Sequence, residues 1–191
     1  MNKRCLSKSA LTLVISTLLT AHSVLADESA SNTLSLKDVF NLEYATNPVV
    51  TPDGKHVVYE RRSMDIMTDS MRRNLWTIAL DGSAHLPILS DSKNHFNPVF
   101  SPDGAKMAYL SSKEGKVQVY LKDLASNSTT RVTDVAMRPS GMSFSPDGKY
   151  VIVNTVEKPF SYLVTYRRFP SKTTIYSKNG KKVETVIEVP L

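Results

Sequence analysis

Asn97-Pro-Val-Phe-Ser-Pro-Asp-Gly104 decides how this chain is read, because the sequence holds two more stretches like it. They are Asn47-Pro-Val-Val-Thr-Pro-Asp-Gly54 and Gly141-Met-Ser-Phe-Ser-Pro-Asp-Gly148. An apolar, strand-like run precedes each copy. Another follows: His56-Val-Val-Tyr59, Lys106-Met-Ala-Tyr109 and Tyr150-Val-Ile-Val153. Asp53 and Asp103 lie 50 residues apart, and Asp103 and Asp147 lie 44 apart. Self-similarity at this period signals a repeat architecture.

The repeated turn has a mechanism. Proline presets φ near −65° (roughly) at the second position of a turn, aspartate bonds its own backbone, and glycine accepts positive φ. Ser/Thr-Pro-Asp-Gly is therefore expected to join two strands as a hairpin. Around it each unit shows four strand-like runs rich in Val, Ile, Tyr and Thr. In unit one they are Pro48–Thr51, His56–Glu60, Asn74–Leu80 and His85–Leu89. In unit two they are Pro98–Ser101, Lys106–Ser111, Val117–Leu121 and Thr129–Thr133. In unit three they are Gly141–Ser145, Tyr150–Thr155, Lys172–Ser177 and Val183–Val189. Asp81-Gly82 and Asn179-Gly180 are hairpin signals between third and fourth strands, and unit two uses Ala125-Ser-Asn-Ser128 in their place.

Four antiparallel strands per 40–50-residue unit form the blade of a β-propeller (roughly that repeat length). The expected fold is all-β, with about three blades in an incomplete ring: 44–90, 91–134 and 135–191. Insertions are expected between second and third strands of units one and three, at Ser63–Arg73 and Val156–Ser171. A propeller closes with about four to eight blades. Three suggest a segment of a longer protein, or assembly of several chains into one ring.

Ahead of the blades, residues 27–43 read as a polar linker and one short helix over about Leu36–Glu43. Ser35-Leu-Lys-Asp38 looks like its capping box, and Leu34 and Val39 like its hydrophobic staple. Residues 1–26 have the pattern of a signal peptide. Lys3, Arg4 and Lys8 precede an apolar run from Ala10 to Leu19, and Val24-Leu-Ala26 offers a cleavage site before Asp27. The run is short of the roughly 20 residues a membrane span needs. No anchor is expected after cleavage, and the site is periplasmic or extracellular. Cys5, the single cysteine, precedes the apolar run and leaves with the signal.

The composition is that of a globular protein, 41% apolar and 22% charged. Of 24 basic side chains, cleavage removes three, leaving 21 against 18 acidic ones. That balance, without a basic run interleaved with aromatics, points away from nucleic acid.

Beyond the blade repeat, two stretches are more specific. Val57-Val-Tyr-Glu-Arg-Arg-Ser-Met-Asp-Ile-Met-Thr-Asp69, with the preceding Ser35–Tyr44 segment and Asn74-Leu-Trp76, resembles the start of secreted prolyl oligopeptidase (S9) serine peptidases. The resemblance is to the acylaminoacyl-peptidase or dipeptidyl-peptidase kind. Lys158-Pro-Phe-Ser-Tyr-Leu-Val-Thr-Tyr-Arg-Arg-Phe-Pro170 resembles a stretch of the glutamyl-peptidase branch. The repeat itself also resembles that of TolB-like propellers. In S9 peptidases the propeller precedes a C-terminal α/β-hydrolase domain with a Ser-Asp-His triad, and restricts access to short peptides. The resemblance therefore implies a hydrolase domain as partner, a short peptide as substrate and no cofactor. These 191 residues would be inactive alone. A TolB-like module binding a protein partner is the alternative.

The chemistry of a triad is missing from the sequence. Gly141-Met-Ser-Phe-Ser145 lacks the second glycine of a nucleophile elbow, and no histidine follows Ser143. His56, His85 and His95 have no metal-ligand spacing. Asp53, Asp103 and Asp147 are read as turn formers. Candidate substrate-binding residues are Arg61 and Arg62, and Arg167 and Arg168, which flank the two insertions. They are able to meet a carboxylate bidentately, the alternative being solvated surface arginines.

Overall fold

Each Ser/Thr-Pro-Asp-Gly segment closes a hairpin between the first two strands of a four-stranded sheet. The computed structural model describes residues 33–190, so the signal segment and the Ala26/Asp27 junction lie outside the described residues. The chain divides after Leu34, and the blades belong to the unit that begins at Ser35.

The first blade comprises β1 (Glu43–Val50), β2 (His56–Asp65), β3 (Ser70–Ala79) and β4 (Leu86–Leu89). The second comprises β5 (His95–Phe100), β6 (Lys106–Glu114), β7 (Lys116–Asp123) and β8 (Thr129–Arg131). The third comprises β9 (Gly141–Phe144), β10 (Tyr150–Val156), β11 (Ser171–Ser177) and β12 (Lys182–Val189). Strand order follows the chain in every sheet, and every pairing is antiparallel. These are propeller blades. β5 neighbours both β1 and β9, so the first strand of each blade is the innermost.

The three turns are built alike. The hydroxyl of Thr51, Ser101 or Ser145 donates to the aspartate two residues on, at 2.6 Å in each case. The same carboxylate accepts the backbone N–H of Lys55, Ala105 or Lys149 at 3.0–3.1 Å. The hydroxyl oxygen also accepts the N–H of the residue that opens the next strand. The hydroxyl bond first, and then the amide, hold Asp53, Asp103 and Asp147 below the usual carboxylate range. Three aspartates with identical local partners are turn formers, as the sequence suggests. Gly104 has φ of +70°, which only glycine adopts without strain. Its open side faces the Pro52 ring at 3.8 Å, so the turn of one blade rests on the turn of the next.

Asn47 and Asn97 break the register of β1 and β5 with a bulge, at φ of 52° and 55°. Each precedes a proline, which cannot donate to the ladder and is confined to such irregular positions. Blade three has Gly141-Met142 at this point, and β9 pairs without a bulge.

The core lies between blades. Alternation along β6 sends Met107 and Tyr109 toward blade one, where they meet Leu75 and Tyr120. It sends Ala108 and Leu110 toward blade three, where they join Phe96, Val119, Leu121, Val132, Val151 and Val153. Blade two is therefore buried on both faces. Burial pushes the Tyr120 hydroxyl up to about 12, with Glu114 adding to the effect.

Two expectations need correction. The helix is a single turn, Asp38–Asn41, and Glu43 already belongs to β1. Half of the capping box is present: the Ser35 N–H donates to Asp38 Oδ2 at 2.6 Å. Val39 is exposed, so no buried staple anchors the turn. The expected insertion at Ser63–Arg73 is a continuation of the β2–β3 hairpin, with Met64 opposite Met71 and Asp65 opposite Ser70. The insertion in blade three remains a connection, residues 157–170, holding one 3₁₀ turn, Tyr166–Arg168.

Candidate functional site

The antiparallel order places the Pro-Asp-Gly turns at one end of the blades. The opposite end gathers the β2–β3, β6–β7 and β10–β11 connections and the returns into β5 and β9. All four arginines singled out in the sequence belong to strands and connections at this second end.

Arg61 and Arg62 are neighbours in β2, so their side chains leave on opposite faces. Arg61 lies on the outer face of blade one. Its Nε donates to Glu43 Oε2 at 3.1 Å, and its guanidinium stands 4.5 Å over the Trp76 ring. Tyr59 and His85 complete this shallow hollow, bonded through the phenol oxygen and Nε2 at 2.5 Å.

Arg62 faces blade two and meets Glu60, a carboxylate only 3% exposed. Arg62 Nη2 donates to Glu60 Oε2 at 3.0 Å. Glu60 Oε1 accepts Asn47 Nδ2 at 3.1 Å and the Asn97 backbone N–H at 2.9 Å. One carboxylate therefore ties the bulges of β1 and β5 together across the blade boundary. The hydrogen bond to Glu60 raises the already high Arg62 pKa further. Glu60 was not among the candidates, because two of its three partners come from 13 and 37 residues away.

Arg167 and Arg168 sit in the 3₁₀ turn of the 157–170 connection, exposed and without an ion pair among the described residues. The same connection exposes Tyr162 and Leu163 almost completely. Among the described residues no hydrogen bond or ion pair joins Arg167 or Arg168 to Arg61 or Arg62.

Two further arginines meet at this end. Arg73 of β3 stands 5.1 Å from the Phe96 ring centre, and Arg138, in the link from β8 to β9, stands 4.7 Å from it. Neither guanidinium has a carboxylate partner among the described residues. Arg73 is also the register partner of Arg62. The signal in the sequence was weak, since Arg73, Phe96 and Arg138 belong to three different stretches.

The other hollows offer less chemistry. A groove of about 510 Å³ opens between blades one and two at the turn end, lined by Pro52, Pro102, Val58, Ile88, Phe100 and Leu124 among others. Its two aspartates, Asp53 and Asp103, are occupied within their turns. Ser143 lies in β9 opposite Ile152 and has no elbow geometry. His95 bonds Asp91 through Nε2 at 2.9 Å, while its buried Nδ1 has no partner among the described residues. No serine or threonine hydroxyl bonds that imidazole among the described residues.

No protein-family model matches the chain. In sequence it is 27% identical over 152 residues to dipeptidyl-peptidase 5 of Porphyromonas gingivalis, covering 80% of this chain and 22% of that protein. It is 26% identical over 121 residues to the peptidase YuxL of Bacillus subtilis, covering 63% of this chain and 18% of that protein. The chain thus spans about a fifth of the length of the curated relatives it matches. In structure it is similar to the acylaminoacyl peptidase of Pyrococcus horikoshii, with a TM-score of 0.65 at 16% identity, over 81% of this chain and 26% of that one. It is also similar to a putative TolB from Agrobacterium tumefaciens, with a TM-score of 0.56 at 20% identity, over 78% of this chain and 50% of that one. The structural likenesses establish the propeller fold. The sequence matches support the resemblance to the propeller region of S9 peptidases.

Proposed function

We propose that this chain is the substrate-gating propeller portion of an exported S9-like serine peptidase that acts on peptides. The observation that carries the reading is the sequence match to two peptidases, which extends over most of the blades. The chain's own residues would bind and orient a peptide at the arginine-bearing end and restrict what reaches the catalytic groups. A hydrolase domain would supply the nucleophile and its base, since no Gly-x-Ser-x-Gly and no histidine after Ser143 stand in these 191 residues. The purified chain is expected to leave aminoacyl and acyl-peptide reporters intact. Turnover above the buffer rate, removed by no contaminant-specific inhibitor, would overturn this.

Export is part of the proposal and rests on the basic, apolar and small-residue pattern of residues 1–26. N-terminal sequencing of the protein recovered from the periplasm or medium should read Asp27 first. A first residue of Met1 in that fraction would refute cleavage.

A TolB-like module that binds a protein partner is the second reading. Its support is the likeness in fold to a putative TolB from Agrobacterium tumefaciens. The two readings part on the reading frame after Leu191. A Gly-x-Ser-x-Gly followed by an acid and a histidine belongs to the peptidase alone.

A further inference from the structure

The geometry points to a carboxylate-binding site at Phe96, formed by the guanidinium groups of Arg73 and Arg138. The ligand chemistry is a peptide carboxylate, either an acidic side chain or a free C-terminus. That the carboxylate belongs to a peptide rests on the function proposed above. That the site takes a carboxylate rests on the following geometry.

Both guanidinium carbons lie over one ring, at 5.1 and 4.7 Å from its centre. They are therefore within about 10 Å of each other, a span that one short peptide bearing a carboxylate covers. An aromatic face holds a guanidinium through its π-surface and leaves the in-plane N–H donors free. Those donors are the fork that matches a carboxylate bidentately. Stacking also fixes the orientation in advance, which lowers the entropy lost on binding.

Like Arg167 and Arg168, these two arginines have no carboxylate partner among the described residues, and what sets them apart is the ring they share. Arg61, Arg62, Arg72 and Arg131 each hold a carboxylate within the chain. The nearby acids are engaged elsewhere: Glu60 with Arg62, and Asp91 with His95. Two like charges thus share one ring, and no carboxylate among the described residues pairs with either.

The frame beneath is rigid. Phe96 is 5% exposed and belongs to the core between blades two and three. The Arg73 backbone N–H donates to Asn94 Oδ1 at 2.9 Å, pinning β3 to the segment that enters β5. Arg73, Phe96 and Arg138 come from blade one, blade two and the link to blade three, so the site exists only when the blades are stacked.

The test is titration of the full chain with three fluorescent pentapeptides at low salt. One has an internal glutamate and blocked ends, one has glutamine in its place, and one has glutamine and a free C-terminus. The blocked glutamate peptide or the free C-terminus should bind at least about tenfold tighter than the blocked glutamine peptide. Whichever of the two does so identifies the source of the carboxylate. Arg73→Met and Arg138→Met keep apolar cover over Phe96 while removing the charge. Each should erase most of that discrimination with little change in Tm. If the arginines only shield Phe96, these variants leave discrimination intact and the site is refuted. Equal binding of all three peptides also refutes it, but leaves peptide gating standing. Binding of none refutes the site and counts against gating as well. Inorganic phosphate competing better than N-acetylglutamate would overturn the carboxylate assignment.

Discussion

Glu60→Ala is expected to cost about 3 kcal/mol of folding stability and to lower Tm by roughly 6–12 °C. The carboxylate is 3% exposed and serves three donors on three strand segments. Its removal leaves Arg62 facing a space without an anion, and the Asn97 N–H without an acceptor. Breaking a buried ion pair from one side costs about 3–5 kcal/mol. The lower end applies, because the Arg62 side chain is 26% exposed and keeps part of its hydration. Glu60→Gln preserves shape and the oxygen that accepts from Asn47 and Asn97, so it should cost about half as much. Urea unfolding followed by circular dichroism separates the three proteins. A loss of less than about 1 kcal/mol in Glu60→Ala would show that the bulges do not depend on this carboxylate. The m-value is informative too. Loss of the clamp that joins blades one and two should broaden the transition if the blades begin to unfold separately.

The turns were legible in the sequence because their chemistry is local. Thr51, Asp53 and Gly54 supply every bond and dihedral their hairpin needs, and so do Ser101, Asp103 and Gly104. The turn without glycine, Ala125-Ser-Asn-Ser128, was legible for a related reason. Asn127 takes φ of 59° there, as asparagine does more readily than most residues. The extension of β2 and β3 was not legible. Met64, Asp65, Ser70 and Met71 lie beyond the inter-blade core, so no apolar alternation marks them as strand. Their turn has no glycine either, with Asp69 at φ of 45°. The candidate site was legible only as arginine content. Arg61 looked free because Glu43 and Trp76 become its neighbours only through strand pairing, whereas Glu60 lies two residues from Arg62 on the same face of β2. Arg73 and Arg138 carried only a weak signal, since their shared ring belongs to a third segment.

Leu110→Ala is expected to cost about 3–4 kcal/mol, whereas Ile152→Ala should cost about 1 kcal/mol or less. Both substitutions remove a large aliphatic side chain from a second strand, β6 or β10. They differ in what covers the side chain. Leu110 is 2% exposed, inside the cluster that blades two and three share. Truncation there leaves a cavity that surrounding strands cannot close. Ile152 alternates with Val151 and Val153, which fill that same cluster, so it points to the opposite face of blade three. It lies across from Ser143 and Ile175 there and is only half-buried. Urea unfolding of both variants at several protein concentrations reads the difference. An equal loss in Ile152→Ala, growing with protein concentration, would mean that a second copy covers this face in solution. An equal loss independent of concentration would mean that the two faces of blade three are packed alike within one chain, which contradicts the alternation of β10. The expected inequality follows from the same blade repeat that the Pro-Asp-Gly turns announce. A sheet in a stack gains most of its stability from neighbours on both sides, and β6 has them where β10 has one.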